Sequence, residues 1–368
     1  MIDTQYHGSS GQGCRVRGNI LSMRGYAPGE QPTDSSIIKL NTNENPYPPS
    51  PRVRQVLLDW AGQRLQLYPD PSARKLRETA GRLYGFRPEQ IIAGNGSDDL
   101  LTIGVRTLVD QGDSLAYVDP SYSLYPVLAK IQGAQAAILP LDDDFQLPEE
   151  LPAAVAACPL LFIARPNAPT ATSFPMRRME RLCRQFAGVV WIDEAYADFA
   201  DDHCLGLVGN LPNVVVSRTL SKSYSLAGLR VGLAFAAEPL IEQMSKVKDS
   251  YNLSLPAQLL AVAALDDAEY MAENTAAIRA ARAALSESLA ELGFAVLPSQ
   301  ANFVFARPPL PASQYSEALR ARGILVRYFP GERTGDYVRI TVGRPEGMER
   351  LLEATRAIVS ELPGLPSD

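Results

Sequence analysis

Short apolar runs alternate with amphipathic stretches along most of the chain. Residues 189–192 and 214–216 are apolar and rich in β-branched side chains, which is typical of buried strands. Residues 176–188 instead carry apolar side chains at helical spacing. Short strands that alternate with helices form a mostly parallel sheet with helices on both faces. The pattern therefore predicts an α/β fold.

Two helices are predicted ahead of the first buried strand. They cover residues 52–65 and 72–85, where apolar positions again recur at helical spacing. Ser72 precedes the second of these stretches, and a serine hydroxyl is a favourable N-cap for a helix. We therefore expect Ser72 to cap this helix.

The character of the sequence changes after Pro256. Residues 257–292 are rich in Ala, Leu and Glu, which predicts long helices, and further strand-like segments and a last helix follow. A chain of 368 residues is long for one core, so a large and a smaller domain are expected. We predict an N-terminal arm at 1–35, a large domain at 36–265 whose segment 36–50 lies near the small domain, and a small α/β domain at 266–368.

Polar residues follow several of the predicted strands. Ser97 and Asp98 come after the strand at 90–93, Asp193 comes after 189–192, and Lys222 comes after 214–216. In open parallel sheets the ligand crevice lies outside the carboxyl ends of the strands. We therefore expect these residues to converge on one site.

The Gly-rich turn at residues 94–99 joins a predicted strand to a predicted helix. Unpaired amides and the helix dipole make such a turn a ready site for an anion. The alternative is that Ser97 and Asp98 only cap the helix.

Lys222 lies in a hydroxyl-rich turn, and Arg230 follows it eight residues later. A lysine amine can form a Schiff base with an aldehyde cofactor, while hydroxyls and a guanidinium hold the phosphate of that cofactor. A single lysine is more often a solvated loop residue. The polar clusters elsewhere in the chain favour the chemical role.

Composition excludes several classes of function. The formal net charge is -6 and no basic run is present, which argues against binding of nucleic acid. The sequence contains only two histidines, so a histidine-based metal site is not expected, and we predict no metal. No apolar run reaches the length of a membrane span, and no secretory signal is visible. The four cysteines are far apart, as in a reduced, cytoplasmic protein.

The segments AGNGSDD, WIDEAY, SRTLSKSYSLAGLRVG and VRITVG, in this order, resemble the fold-type I pyridoxal 5′-phosphate (PLP) aminotransferases. The histidinol-phosphate aminotransferase family is the most similar, and the resemblance covers nearly the whole chain. It implies a large domain with a mostly parallel, seven-stranded sheet covered by helices, a smaller C-terminal α/β domain, and a homodimer.

The resemblance also implies a role for each motif residue. Lys222 would hold PLP as a Schiff base and then shuttle a proton. Asp193 would face the pyridine nitrogen, and Tyr196 would direct its phenol at the 3-oxygen of the cofactor. The remaining cofactor contacts would come from Gly96, Ser97, Asp98, Tyr68, Tyr122, Thr219, Ser221 and Arg230.

One motif departs from the family pattern. The family's asparagine directly precedes the proline of an N-P-T-G motif, whereas here Ala168 occupies that position and Ala171 replaces the glycine. Asn167 lies one residue earlier. We predict that Asn167 supplies the cofactor-binding amide through a slight shift of the loop.

The residues that would bind substrate are fewer. By resemblance, Arg339 would bind the phosphate of the substrate or the carboxylate of glutamate, and Arg327 would add a second phosphate contact. Tyr68 would reach across the dimer interface into the partner's site. Tyr26 in the N-terminal arm and Asn43 would complete the substrate site. The alternative for the two arginines is pairing with surface acids.

The predicted function is a ping-pong transamination between small molecules, from glutamate to imidazole-acetol phosphate, which yields histidinol phosphate. Two alternatives on the same scaffold have aromatic amino acids or threonine phosphate as substrates, the latter by decarboxylation. A third alternative is the PLP-sensing domain of a transcription regulator. Because the first 35 or so residues are not basic, we expect no DNA-binding module there.

Overall fold

A computed structural model describes residues 16–361 of the chain. The strands are β1 Ile38–Lys39, β2 Ile91–Gly94, β3 Ser114–Asp119, β4 Gln135–Pro140, β5 Leu160–Ala164, β6 Val189–Asp193, β7 Val214–Thr219, β8 Gly232–Phe235, β9 Ala295–Val296, β10 Phe303–Arg307, β11 Ile324–Leu325, β12 Arg327–Tyr328 and β13 Val338–Thr341. The helices are α1 Gly18–Leu21, α2 Pro51–Trp60, α3 Arg74–Tyr84, α4 Ser97–Leu108, α5 Leu124–Gln132, α6 Ala153–Ala156, α7 Met176–Gln185, α8 Leu205–Val208, α9 Glu238–Val247, α10 Leu255–Leu265, α11 Ala268–Glu291, α12 Ala312–Ala321 and α13 Pro345–Ser360.

Seven strands form the central sheet, in the order β2-β8-β7-β6-β5-β3-β4. The pairs from β7 through β6, β5 and β3 to β4 are parallel, whereas β8 runs antiparallel to both β7 and β2. The predicted α/β fold with a mostly parallel, seven-stranded sheet is therefore confirmed.

Side chains from alternate positions of each strand pack on opposite faces of this sheet. In β6, Val190 and Ile192 join one apolar cluster, and Trp191 joins the cluster on the other face. All three side chains are fully buried. Burial of each such side chain contributes roughly 1.5–3 kcal/mol. Strands such as β6 are thus nearly continuous apolar runs, because helices cover both faces of the central sheet.

A second core surrounds a four-stranded antiparallel sheet with the order β12-β13-β10-β9. Val304, Ile340 and Leu351 are fully buried there, between the sheet and the helices α11 to α13. Strand β1 pairs in parallel with β11, and Leu40 joins the same core. The segment that follows β1 is therefore anchored on the C-terminal part of the chain.

The N-terminal segment from residue 16 contacts both parts of the molecule. Asn19 in α1 donates a hydrogen bond to the Lys130 carbonyl of α5 at 2.7 Å. Glu30 forms an ion pair with Arg320 of α12. The first fifteen residues of the predicted arm lie outside the described residues. None of the helices within residues 16–361 has the length and hydropathy to cross a membrane.

Two details of the early helices differ from the sequence predictions. Helix α2 ends at Trp60 rather than near residue 65, because Ala61 and Gly62 both adopt left-handed backbone conformations. The start of α3 is capped from Asp70 and not from Ser72. The Asp70 carboxylate accepts hydrogen bonds from the amides of Ser72 and Arg74 at 2.8 and 3.0 Å, and the Ser72 hydroxyl itself donates to Asp70.

We expect Asp70→Ala to destabilise the protein more than Ser72→Ala. The loss of a capping side chain typically lowers the free energy of unfolding by about 1 kcal/mol. The serine variant keeps both amide hydrogen bonds, so its cost should be smaller. Urea denaturation of the two variants measures this difference, and an equal or larger loss for Ser72→Ala would contradict the assignment.

Candidate active site

One cavity of about 450 Å³ lies at the carboxyl edge of the central sheet. The last residues of four neighbouring parallel strands line it, namely Asp119 of β3, Ala164 of β5, Asp193 of β6 and Thr219 of β7. Its volume is typical of a site for a small molecule. Most of the residues predicted from the sequence meet here: Tyr26, Asn43, Ser97, Asp98, Tyr122, Asp193, Tyr196, Thr219, Ser221, Lys222, Arg230, Arg327 and Arg339.

Asp193 is a buried carboxylate on the wall of this cavity. It accepts hydrogen bonds from the hydroxyls of Tyr125 at 3.1 Å and Ser217 at 3.3 Å. Burial raises the pKa of Asp193 to about 6, although the hydrogen bond from Tyr125 acts in the opposite direction. At neutral pH the group is therefore mostly ionised and can bind a cationic N–H of a ligand.

Lys222 faces the same cavity from the turn after β7. Its Nζ donates a hydrogen bond to the Thr42 carbonyl at 3.2 Å and lies 5.8 Å from the centre of the Tyr196 ring. Burial, together with the nearby Arg339 guanidinium, lowers the pKa of Lys222 to about 8. About a tenth of this amine is thus unprotonated at pH 7, far more than for a hydrated lysine, and the unprotonated form is the one that acts as a nucleophile or a base.

Tyr196 and Asn43 form a hydrogen-bonded pair on the cavity wall. The Asn43 amide donates to the Tyr196 hydroxyl at 2.9 Å. The Asn43 side-chain oxygen in turn accepts a hydrogen bond from the Thr341 hydroxyl at 3.0 Å, which fixes the orientation of the amide. The phenol oxygen of Tyr196 therefore has a defined donor partner and stays directed towards the cavity.

A positively charged corner lies where α4 begins. Arg230 contacts the Ser221 hydroxyl at 3.4 Å, and the Thr219 hydroxyl donates to Ser221 at 3.0 Å. Gly96 occupies the N-cap position with φ +87°, and a Cβ on it would lie 2.6 Å from Arg230 Nη2. The corner thus combines a guanidinium, two hydroxyls and the first amides of a helix, which is the composition of an anion site.

Asp98 contributes to this corner in a different way from the one expected. Its carboxylate accepts a hydrogen bond from the Tyr122 hydroxyl at 3.1 Å and lies 3.5 Å from Arg230 Nη2. A carboxylate repels an anion, so the side chain orients Tyr122 and Arg230, and only its backbone amide suits a phosphate. The Tyr122 ring lies 5.8 Å from that of Tyr26, edge to face.

Two arginines from the C-terminal part of the chain also line the cavity. Arg339 donates to the Asn41 carbonyl at 2.9 Å, and its buried Nε has no hydrogen-bond partner. Arg327 donates to the carbonyls of Ala27 and Pro28 at 3.3 and 3.4 Å. Within residues 16–361 neither arginine forms a salt bridge, so the alternative of pairing with surface acids does not apply to the described chain.

Gly96 lies behind Arg230 and not on the cavity lining, and two further predicted residues are not brought to the cavity. Asn167 is fully buried behind it, where its amide donates to the Pro120 carbonyl and to Thr170, both at 2.9 Å, and its oxygen accepts from Ser121. Both amide hydrogens are thus used within the protein, and Ala168 faces the cavity instead. This placement corrects the expectation for Asn167. Tyr68 lies on the surface, 81% exposed and stacked on Tyr251 at 4.4 Å.

Several contributors to the site were missed from the sequence. Tyr125 and Ser217 hold Asp193, and the Thr42 carbonyl holds the Lys222 amine. Helix α5 begins at Leu124, so Tyr122 lies outside it and helical spacing gives no signal for Tyr125. A backbone carbonyl such as that of Thr42 carries no signal in the sequence. No group of three or more potential metal ligands occurs in residues 16–361.

Residues 35–354 match the family model for aminotransferase class I and II. Histidinol-phosphate aminotransferase from Microcystis aeruginosa is 47% identical over 345 residues, covering 94% of this chain and 98% of that protein. The same-named protein of Geotalea uraniireducens is 45% identical over 348 residues, covering 93% and 99%. The crystal structure of histidinol-phosphate aminotransferase from Sinorhizobium meliloti in complex with pyridoxal-5′-phosphate superposes with a TM-score of 0.84 at 26% identity, covering 94% of this chain and 98% of that one.

We expect Gly96→Ala to weaken the binding of inorganic phosphate about tenfold or more. The Gly96 backbone, at φ +87° and ψ 170°, lies in a region essentially restricted to glycine, which costs another residue about 1–3 kcal/mol, and the new methyl group would displace Arg230. Gly228→Ala is the matched control, because a Cβ there meets nothing within 4 Å. Calorimetric titration with phosphate compares the two variants, and equal affinities would contradict the proposed anion corner.

We also expect the Lys222 amine to titrate near pH 8 in the cofactor-free protein. Only the neutral amine reacts with an acylating reagent, so the rate of labelling should rise with pH through this midpoint. Mass spectrometry of the Lys222 peptide gives that rate at each pH. The unfolded protein serves as the reference, with a midpoint of about 10.4. A midpoint in the folded protein equal to the reference would show that the amine is fully hydrated.

Proposed function

The chain belongs to the class I and II aminotransferase family, and on that premise we propose that it is a PLP-dependent histidinol-phosphate aminotransferase. It would transfer the amino group of glutamate to imidazole-acetol phosphate, giving histidinol phosphate and 2-oxoglutarate by a ping-pong mechanism. One observation carries the proposal: a single cavity is lined by Lys222, Asp193, Arg230 and Arg339.

The residues of the cavity fit PLP. The corner formed by Arg230, Ser221 and the start of α4 suits its phosphate, and Gly96 leaves room for the guanidinium where a Cβ would collide. Asp193, Lys222 and Arg339 line the same cavity as this corner. When bound, PLP supplies an electron-withdrawing ring that stabilises negative charge on the substrate carbon.

Three side chains would do the protein's part of the chemistry. Lys222, whose pKa is about 8, can accept a proton from the substrate carbon and return it to a neighbouring atom. Asp193, mostly ionised at neutral pH, would hold a proton on the pyridine nitrogen by accepting its N–H. Tyr196, oriented by Asn43, would direct its hydroxyl to the 3-oxygen of the ring.

Substrate recognition would rest on Arg339 and Arg327. Arg339 gives an Nη2 hydrogen to the Asn41 carbonyl, and its buried Nε has no partner in the described chain, so more than one N–H remains for an incoming anion. A guanidinium binds phosphate and carboxylate equally well through paired hydrogen bonds, so one arginine can serve both substrates in turn. Tyr26 closes the cavity beside Tyr122 and presents an aromatic surface to the imidazole ring.

We further propose that the protein works as a homodimer in which Tyr68 reaches the cavity of the partner subunit. Support comes from the exposed apolar side chains around it, Leu57, Leu58, Leu65 and Leu67, which a second copy would cover. Sedimentation at micromolar concentration should give the mass of two chains. The mass of one chain would contradict the arrangement.

The test of the proposed function is a screen of single amino donors against the PLP-loaded protein, followed by visible absorbance. We expect histidinol phosphate and glutamate to convert the cofactor, because both place an anion at Arg339. Phenylalanine and tyrosine should react more slowly, and threonine phosphate should release no carbon dioxide. Faster conversion by an aromatic amino acid, or decarboxylation of threonine phosphate, would replace the proposed substrate.

Lys222→Ala is the matched control for this screen. It should still bind PLP through the phosphate corner, because that corner does not include the lysine amine. Its turnover should fall by at least about 10³-fold, within the range for loss of a general acid–base group. Turnover equal to that of the unaltered protein would exclude Lys222 from the chemistry.

A further inference from the structure

Beneath the cavity lies a buried ion network that none of the roles above uses. It consists of Arg218 in β7, Glu194 after β6, and Asp198 in the short turn that follows; we call these three residues the charge clamp. Arg218 Nε lies 2.9 Å from Glu194 Oε2, and Arg218 Nη1 lies 2.6 Å from Asp198 Oδ1. Arg218 is 4% exposed and Glu194 is 1% exposed. One buried guanidinium therefore bridges a buried carboxylate and a partly buried one.

Each carboxylate of the charge clamp is connected to a different reactive side chain. Glu194 directly follows Asp193, and its amide donates to the Ser217 carbonyl at 2.9 Å. The second oxygen of Asp198 accepts a hydrogen bond from the hydroxyl of Ser223, which directly follows Lys222. The network thus runs from the neighbour of Asp193, through Arg218, to the neighbour of Lys222.

The charge clamp lies on the face of β7 opposite the cavity. Successive residues of a strand point to opposite faces, so Ser217 reaches Asp193 from the cavity side while Arg218 points away from it. The Arg218 guanidinium packs 5.7 Å from the centre of the Tyr84 ring. Arg218 therefore does not line the cavity and can act on the chemistry only through Asp193 and Lys222.

We propose that Arg218 is a positioning residue, which fixes the Asp193 loop and the Lys222 turn relative to each other by bridging Glu194 and Asp198. The inference rests on the proposed function, since it assigns the two loops to one reaction. Arg218 would thus be a further residue that serves this reaction from outside the cavity.

Stability alone is a poor explanation for this network. Buried ion pairs contribute little net stability, because desolvation of the charges offsets their attraction. Here one guanidinium meets two carboxylates, and its buried Nη2 has no partner within the described chain. An arginine has the geometric property that positioning requires: its planar fork can hold two acceptors at fixed angles, whereas a lysine ammonium is a single point charge.

The experiment compares Arg218→Met and Arg218→Lys with Arg178→Met. Arg178 is also a buried arginine, but it lies in α7 and its guanidinium contacts no hydrogen-bond partner in the described chain, so it controls for the loss of a buried guanidinium. Two readouts are taken. The first is kcat and KM for histidinol phosphate, and the second is the pH midpoint of Lys222 labelling in the cofactor-free protein.

We expect Arg218→Met to lower kcat about 10²-fold, the usual result of misplacing a reacting group by about 1 Å, with KM nearly unchanged. The labelling midpoint should rise by about one unit, because a loosened turn hydrates the amine. The charged groups that face Lys222, namely Arg339, Arg230, Glu44 and Asp98, are intact in every variant. Arg218→Lys should recover part of the kcat that Arg218→Met loses. Because Arg218→Lys keeps the positive charge, any change of the Lys222 labelling midpoint that remains in it reflects geometry.

A kcat within about twofold of the unaltered protein and an unmoved midpoint in Arg218→Met would overturn the proposal. The proposal would also be overturned if Arg218→Met lost kcat only in proportion to its loss of thermal stability, to the same extent as Arg178→Met. If Arg218→Met does not fold, Ser223→Ala tests the proposal instead. This variant keeps every charge but removes the hydrogen bond from Ser223 to Asp198, and it should lower kcat about tenfold. If the unaltered protein does not use histidinol phosphate, the proposed function fails, yet the labelling midpoints still test the charge clamp.

Discussion

Burial of charge at the carboxyl edge of the sheet is the constraint on which the rest of this structure depends. A charged group taken out of water is costly unless a partner or a ligand compensates for the lost hydration. Asp193 has two hydroxyl donors, and Arg218 has two carboxylates. Within the described chain Lys222 donates only to a backbone carbonyl, and the Nε of Arg339 has no partner. Both groups line the cavity, where a charged cofactor and substrate would complete them.

The site also depends on how the two cores dock. The segment after β1 is anchored on the C-terminal part of the chain, yet it supplies three contacts to residues of the large sheet. The Thr42 carbonyl accepts from Lys222, the Asn43 amide donates to Tyr196, and the Asn45 amide donates to the Lys222 carbonyl at 2.9 Å. A shift of one core against the other would therefore disturb the reactive lysine directly.

Much of the fold could be predicted because the spacing of apolar residues along the sequence indicates which side chains are buried. The strands β6 and β7 begin as apolar runs, since both of their faces are covered, and both start at the predicted residue. Strand β7 continues three residues beyond its predicted end, through Ser217, Arg218 and Thr219. The choice of Ser72 as a cap was wrong for a local reason as well. Asp70 and Ser72 are both good capping residues, and the left-handed backbone of Ala73 decides which oxygen reaches the free amides.

The α/β class and the residue types that gather at the strand ends could be predicted from the amino-acid sequence, because they follow from short-range spacing and from the rule that ligands lie at the carboxyl edge. The family could be predicted from the resemblance of its motifs. The partner that each group meets depends instead on the folded structure. Asn167 turns its amide inward to Pro120 and Thr170, while Asn43, far away in the chain, donates to Tyr196. The reason is physical: a hydrogen bond requires two atoms within about 3 Å, and the packing of distant segments sets that distance.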